Sequence, residues 1–154
     1  MAGSKRPGDH GRVREAAPQR YASAEETPLV GILLDSDVII EVLRGRQPVL
    51  GQVTRLKTRG VPLYCTTISW AEVYAGIRAG EEYVTERFLQ TCGEVVLDAT
   101  VGRQAGRYLA RYVASHHLEL ADAIIAAAAS RSGLRLWTLN RKHFPMTDVG
   151  FYTP

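Results

Sequence analysis

The sequence predicts an α/β domain with a parallel sheet flanked by helices. Apolar runs of strand length alternate with amphipathic stretches of helical length from residue 29 onward. Glycines and capping residues punctuate the boundaries between them. Successive strand signals are each separated by helix, which demands parallel pairing, right-handed crossovers and helices on both faces. A chain of 154 residues, 45% hydrophobic and 23% charged, suits one hydrophobic core.

The elements follow in order. Residues 30–34 form an apolar run suited to a strand buried on both faces, and 37–43 an amphipathic helix stopped by Gly45. A second helix over 48–58 opens with Pro48 at a first helical position and ends before Gly60. Residues 61–66 are the second strand. Ser69 then caps a helix that reaches about Arg78, and 81–91 is a further helix closed by Gly93. A third strand over 94–97 leads to Asp98, the cap of a long helix to His116, and another helix covers 120–132 before Gly133. Residues 135–139 are the fourth strand, and 149–152 a short fifth.

Residues 1–28 differ in kind. They mix Lys, Arg, Glu, Gly, Ala and Pro without either period, so they are expected to be a disordered tail, with a folded domain over 29–154. The net charge of +3 permits an anionic partner without demanding one. Cys65 and Cys92 lack CxxC spacing and read as reduced core residues. The sequence contains no apolar run of about 18 residues and no apolar core of a signal peptide, so no membrane association and a cytoplasmic location are expected.

Four positions carry the chemistry: Asp35 at the end of the first strand, Glu72 in the helix after the second, Asp122 near the start of the 120–132 helix, and Asn140 after the fourth strand. In an open parallel sheet, ligands bind beyond the carboxyl ends of the strands. Oxygen donors without Cys or His suit Mg²⁺ or Mn²⁺ rather than zinc. Two carboxylates about 4 Å apart repel by about 1 kcal/mol even in water, so such a cluster calls for a cation or a proton. Each position also has a plain structural alternative. Asp35 suits a helix cap, Glu72 completes the capping-box pattern Ser69-Trp70-Ala71-Glu72, Asp122 is favoured by the helix dipole, and Asn140 suits a turn. Taken singly, both readings stand.

Taken together, the four segments resemble the PIN-domain ribonucleases, in particular the VapC-like toxins of bacterial toxin–antitoxin pairs, over about residues 30–152. Leu34-Asp35-Ser36-Asp37-Val38-Ile39 matches the first motif, Ser69 to Glu72 with Val73-Tyr74-Ala75-Gly76 the second, and Ala121-Asp122-Ala123-Ile124-Ile125-Ala126-Ala127 the third. Thr138-Leu139-Asn140-Arg141-Lys142-His143-Phe144 resembles the fourth, with Asn140 where the strictest pattern has Asp. The resemblance implies a three-layer α/β/α PIN-like fold with strand order 3-2-1-4-5, which sets Asp35 beside Asn140. It implies a metal-dependent endoribonuclease, with Asp35, Glu72 and Asp122 as ligands to Mg²⁺ (or Mn²⁺) and Asn140 as an auxiliary ligand or water-positioning group. It further implies a homodimer, an RNA substrate, and a cognate antitoxin whose C-terminal segment fills the acidic groove. Asp37 is a fourth acid of the site or a helix cap.

Arg44, Arg46, Arg78, Arg141 and Lys142 are candidate RNA phosphate contacts, whereas Arg55, Lys57 and Arg59 read as a solvated face. His143 packs a turn, and His116 and His117 point in different directions; none is expected to hold metal. Two other functions fit parts of the pattern. Asp35-Ser36-Asp37-Val38 is similar to the first motif of haloacid-dehalogenase-like phosphatases, although the later Lys and paired acids are not evident. A non-catalytic RNA- or antitoxin-binding PIN module is the other.

Overall fold

The first apolar run becomes β1 (Ile32–Leu34), whose three side chains are all buried. Their alternation divides the interior in two. Leu33 joins one core cluster with Leu136 and the alanines of the 120–132 helix, while Ile32 and Leu34 join another with Val38, Leu56, Leu63 and Trp137. The computed structural model describes residues 29–154; the expected tail over 1–28 lies outside the described residues.

After β1 come α1 (Ser36–Leu43), α2 (Val49–Thr58), β2 (Leu63–Cys65), α3 (Thr67–Ala75), α4 (Glu82–Leu89) and β3 (Gly93–Glu94). The chain continues through α5 (Ala99–His116), α6 (Leu120–Ser132) and β4 (Arg135–Trp137), with a 3-10 turn at Arg141–His143. The sheet is parallel, in the order β3-β2-β1-β4. The fifth place, beside β4, is held by a single bridge between Leu136 and Phe151 rather than by a strand. Helices α1 to α4 cover one face and α5 with α6 the other, the three layers expected. Among the described residues no helix is long and apolar enough to cross a membrane.

Local chemistry explains where the boundaries moved. Helix α3 starts earlier than Ser69 because Thr66 is its cap, its hydroxyl accepting from Ser69 N at 3.2 Å. Ser69 itself is buried inside the first turn. Helix α3 also ends at Ala75, so Arg78 falls in the turn beyond it. Asp98 caps α5 as expected, accepting from Thr100 N and Val101 N. Helix α6 is apolar around most of its circumference, with Ala123, Ile125 and Ala126 to Ala129 all fully buried, the pattern of an interior helix. Small side chains let it approach the sheet closely.

Tyr64 on β2 lays its ring across both neighbouring strands. A Cβ at Gly31 would lie 2.7 Å from Tyr64 Cε2, and one at Gly93 2.6 Å from Tyr64 Cδ1 and Cε1. Both positions need glycine because the ring occupies the space. Gly93→Ala should therefore lower stability by about 1–3 kcal/mol, seen as a reduced urea midpoint with an unchanged slope. Adding Tyr64→Leu should return part of that loss; strictly additive losses would show that the ring is not the cause.

Candidate functional site

Strand pairing builds the site. In the β1–β4 register Leu34 lies beside Trp137, and Asp35 N donates to Trp137 O at 2.9 Å. Asp35 thus leaves the carboxyl end of β1 next to Thr138. It is 6% exposed and caps α1, with Oδ1 accepting from Ser36 N at 2.8 Å. Burial, reinforced by the charge of Asp37, raises its pKa to about 7. Capping and site membership are therefore compatible at this residue.

Asp37 sits in the first turn of α1 and faces the loop after β4. Its Oδ2 accepts from Leu139 N at 3.0 Å and from Thr138 Oγ1 at 3.4 Å. Its Oδ1 is buried without a hydrogen-bond partner. Burial raises its pKa, against hydrogen bonds from Leu139 and its neighbours that lower it. Thr138 Oγ1 also accepts from Asn140 N at 3.0 Å, so one hydroxyl ties Asp37 to the turn that carries Asn140. The Asn140 residue is exposed.

Asp122 comes from the first turn of α6, whose cap position is Glu119. Burial raises its pKa; His143 opposes the rise, and Glu119, Glu72 and Asp37 add to it. His143 Nδ1 lies 3.6 Å from Asp122 Oδ2. Glu72 stands exposed in the middle of α3. The capping-box alternative for Glu72 falls away, since Thr66 rather than Ser69 caps that helix. Asp35, Asp37 and Asp122 therefore lie within electrostatic reach of one another, and His143, Glu119 and Glu72 lie within reach of Asp122.

Thr138, Glu119 and His143 are the participants that sequence reasoning missed. Thr138 stood inside the fourth motif, but its role depends on a contact across 101 positions of sequence. The candidate cations are more scattered. Arg44 and Arg46 follow the far end of α1, one helix length from Asp35, and Arg46 pairs with Glu41 at 3.1 Å. Arg78 lies in the turn before α4. Arg141 stacks its guanidinium 3.2 Å from the Phe151 ring centroid and donates to Phe144 O at 2.8 Å. Lys142 is exposed beside it.

The donor set suits a hard divalent cation: it is all oxygen, it includes an orphaned buried carboxylate oxygen, and it contains an acid whose proton affinity is raised by burial and by a neighbouring carboxylate. Among the described residues, no three His, Cys, Asp or Glu side chains are gathered to hold an ion as they stand. Like charges keep such side chains apart.

A family model described as PIN domain matches residues 32–149. The chain is 37% identical over 118 residues to ribonuclease VapC10 of Mycobacterium tuberculosis, covering 76% of this chain and 88% of that protein. It is 29% identical over 115 residues to ribonuclease VapC19 of the same organism, covering 74% and 92%. Its fold is similar to a chain in the crystal structure of VapBC2 from Rickettsia felis bound to a promoter DNA fragment, with TM-score 0.66 and 16% identity over 79% of this chain and 96% of that one.

The raised pKa of Asp35 has a consequence for the metal-free protein. The folded state holds the Asp35 proton up to about pH 7, whereas a free aspartate side chain releases it near pH 3.8. Between those values the folded state binds more protons, so stability falls as pH rises through the window and levels off above it. Asp35→Asn should remove this component, whose slope is at most about 1.4 kcal/mol per pH unit. Urea midpoints in chelator at about pH 5 and about pH 8 should drop more for the native chain than for Asp35→Asn; equal drops would mean that Asp35 is already ionised at the lower pH.

Proposed function

The chain belongs to the PIN domain family, and from that premise we propose that it is a metal-dependent endoribonuclease, the toxin of a VapBC-type toxin–antitoxin pair, acting on RNA in the cytoplasm. The observation that carries this reading is the set of desolvated carboxylates, Asp35, Asp37 and Asp122, at the carboxyl edge of β1 and β4. Two relatives that this chain resembles in sequence are named ribonucleases. Family membership removes the haloacid-dehalogenase-like alternative.

Asp35 and Asp122 would hold the ion, Mg²⁺ or Mn²⁺, from the ends of β1 and α6, and Glu72 would join them from the rim. When bound, the cation offsets charge building on the scissile phosphate and makes a water a stronger nucleophile. The protein's own part is positional. Leu139 N and Thr138 fix Asp37, the Asp35 backbone is clamped to Trp137, and Asp122 is fixed by the packing of α6. Asn140, with a neutral amide, would accept a hydrogen bond from water through its Oδ1 without adding charge, and so orient that water beside the acids. Lys142 and the Arg44, Arg46, Arg78 and Arg141 guanidiniums are the candidate phosphate contacts; Lys142 is the most available of them, Arg141 and Arg46 being already engaged. The cognate antitoxin is the second partner, with a homodimer as the working unit. The folded nuclease domain spans 29–154.

Mapping new RNA ends after brief expression tests the reading directly. A discrete set of ends should appear with the native chain and vanish with Asp35→Ala. In vitro, chelator should abolish cleavage and Mg²⁺ or Mn²⁺ restore it; undiminished cleavage in excess chelator by nuclease-free preparations would refute a metal mechanism.

Glu72→Gln separates ligand from bystander. Because Glu72 is exposed in mid-helix and caps nothing, the substitution should leave the urea midpoint within about 0.5 kcal/mol. Cleavage should fall by about 100-fold or more, in line with loss of an electrostatic contact made in the transition state. A folded, fully active Glu72→Gln protein would remove Glu72 from the site.

A further inference from the structure

The other end of α6 carries the opposite charge. Asp122 stands in its first turn and Arg131 in its last, about nine residues or roughly 14 Å apart along the axis. Beside Arg131, α5 presents Arg103 and Arg107, one turn apart. With Thr100 and Gln104 these arginines line a surface depression of about 220 Å³. Arg111 continues the row a further turn along.

Among the described residues only weak partners face this charge: Arg103 acts on Asp98 through space, and Arg107 Nη1 donates to Gln104 Oε1 at 3.1 Å. Helix α5 has 18 residues with three arginines and no Asp or Glu. Among the described residues, no carboxylate lies within ion-pairing distance of Arg103, Arg107 or Arg131; the pairs found are Arg46–Glu41 and His143–Asp122. The nearest acids are occupied. Asp98 accepts from Thr100 N, Thr100 Oγ1 and Val101 N. Asp148 Oδ2 accepts from Tyr108 OH at 2.7 Å and from Ser130 Oγ at 3.2 Å, with Gln104 Nε2 at 3.5 Å. Arg131 complements the dipole of α6, but Arg103 lies in the second turn of α5, where the dipole offers a cation nothing. Like charges at i and i+4 also oppose one another.

We propose that Arg103, Arg107 and Arg131 form a phosphate-binding surface for RNA flanking the cleavage point, remote from the carboxylates. This rests on the ribonuclease reading above. The lining decides the class of partner. A protein partner needs apolar anchors in the centre of its interface, whereas this depression is lined only by arginine, glutamine and threonine. Interfaces with nucleic acid are more polar and more positive, and the arginine fork matches phosphate geometry. The surface also meets a need of the site: the carboxylate edge repels a polyanion, so the charge that retains RNA has to sit elsewhere.

The test uses the full chain with Asp35→Asn to silence cleavage, alone and combined with Arg103→Gln, Arg107→Gln and Arg131→Gln, and a single-stranded RNA of about 30 nucleotides followed by fluorescence anisotropy over a salt series. Losing three single-strand phosphate contacts should lower the slope of log affinity against log salt by about 2 and weaken binding by about tenfold or more near 0.1 M salt. The corresponding triple Arg→Lys protein should keep the slope, which separates charge from fold, and thermal melting should match for all three. An unchanged slope in the triple Gln protein overturns the proposal. So does loss of binding to a polyglutamate probe with RNA binding intact, which would assign the surface to an acidic protein. Cleavage by the native chain is scored separately: absence of cutting under every divalent metal defeats the ribonuclease reading, while the salt slope alone decides the arginine surface.

Discussion

Carboxylates that repel one another must be held out of water at a single sheet edge, and the rest of the fold is arranged around that requirement. Asp35 is nearly inaccessible, and Asp37 keeps one oxygen buried without a partner. An unsatisfied buried acceptor costs about 1–3 kcal/mol, more when it is charged. Such a group persists only where its surroundings leave it no escape. The backbone bond from Asp35 N to Trp137 O and the bond from Leu139 N to the Asp37 carboxylate supply that confinement, and both lie at the carboxyl end of the β1–β4 strand pair. Local strain at the site is thus borne by the two cores on either side of β1.

The third acid is delivered by a different device. Five of the six residues from Ala123 through Ala129 that are fully buried are alanines. A helix faced with alanine seats its axis close to the sheet, and its first turn then projects Asp122 over the strand ends. Larger residues at those positions would lift α6 and withdraw Asp122 from the influence of Asp37 and Glu72. Core packing and site geometry are in this sense the same property, and an apparently conservative Ala→Val change in α6 acts on both.

The sequence displayed the architecture and the acids, but not the contacts that orient them. Apolar runs, glycines and caps marked the elements because each signal is local; Asp98 and Gly133 fall where expected, at the two ends of the α5–α6 pair. The start of α3 was misplaced because Thr66, Thr67 and Ser69 all offer hydroxyls, and only the fold decides that Thr66 has the extended backbone of a cap. The fifth strand shrank to one bridge because residues 149–152 meet a single neighbour, at the edge of the sheet. Thr138 and His143 were unreadable for another reason: their partners, Asp37 and Asp122, are brought near only by the β1–β4 pairing and the placement of α6. Arg141 stood beside Asn140 in sequence, yet its guanidinium is committed to Phe151 at the C-terminal end.

That commitment reshapes the electrostatic problem of holding RNA. With a net charge of only +3 over the whole chain, little general attraction is available, and the acids at the sheet edge oppose the approach of phosphate. Two of the candidate arginines are engaged, Arg141 with Phe151 and Phe144, Arg46 with Glu41. A divalent cation held by these acids would correct the sign of the field close to the sheet edge, but its influence would fade within a Debye length of about 10 Å at 0.1 M salt. Attraction for the flanking phosphates has to originate from fixed charges outside that radius. Helix α5, with arginines at successive turns and no acid among its residues, accepts about 0.2–0.5 kcal/mol of repulsion for each i, i+4 pair. A cost of that kind, with only Gln104 and the Tyr112 ring close to these side chains among the described residues, is understandable if the proposed surface grips a polyanion at one place while the acids act on it at another.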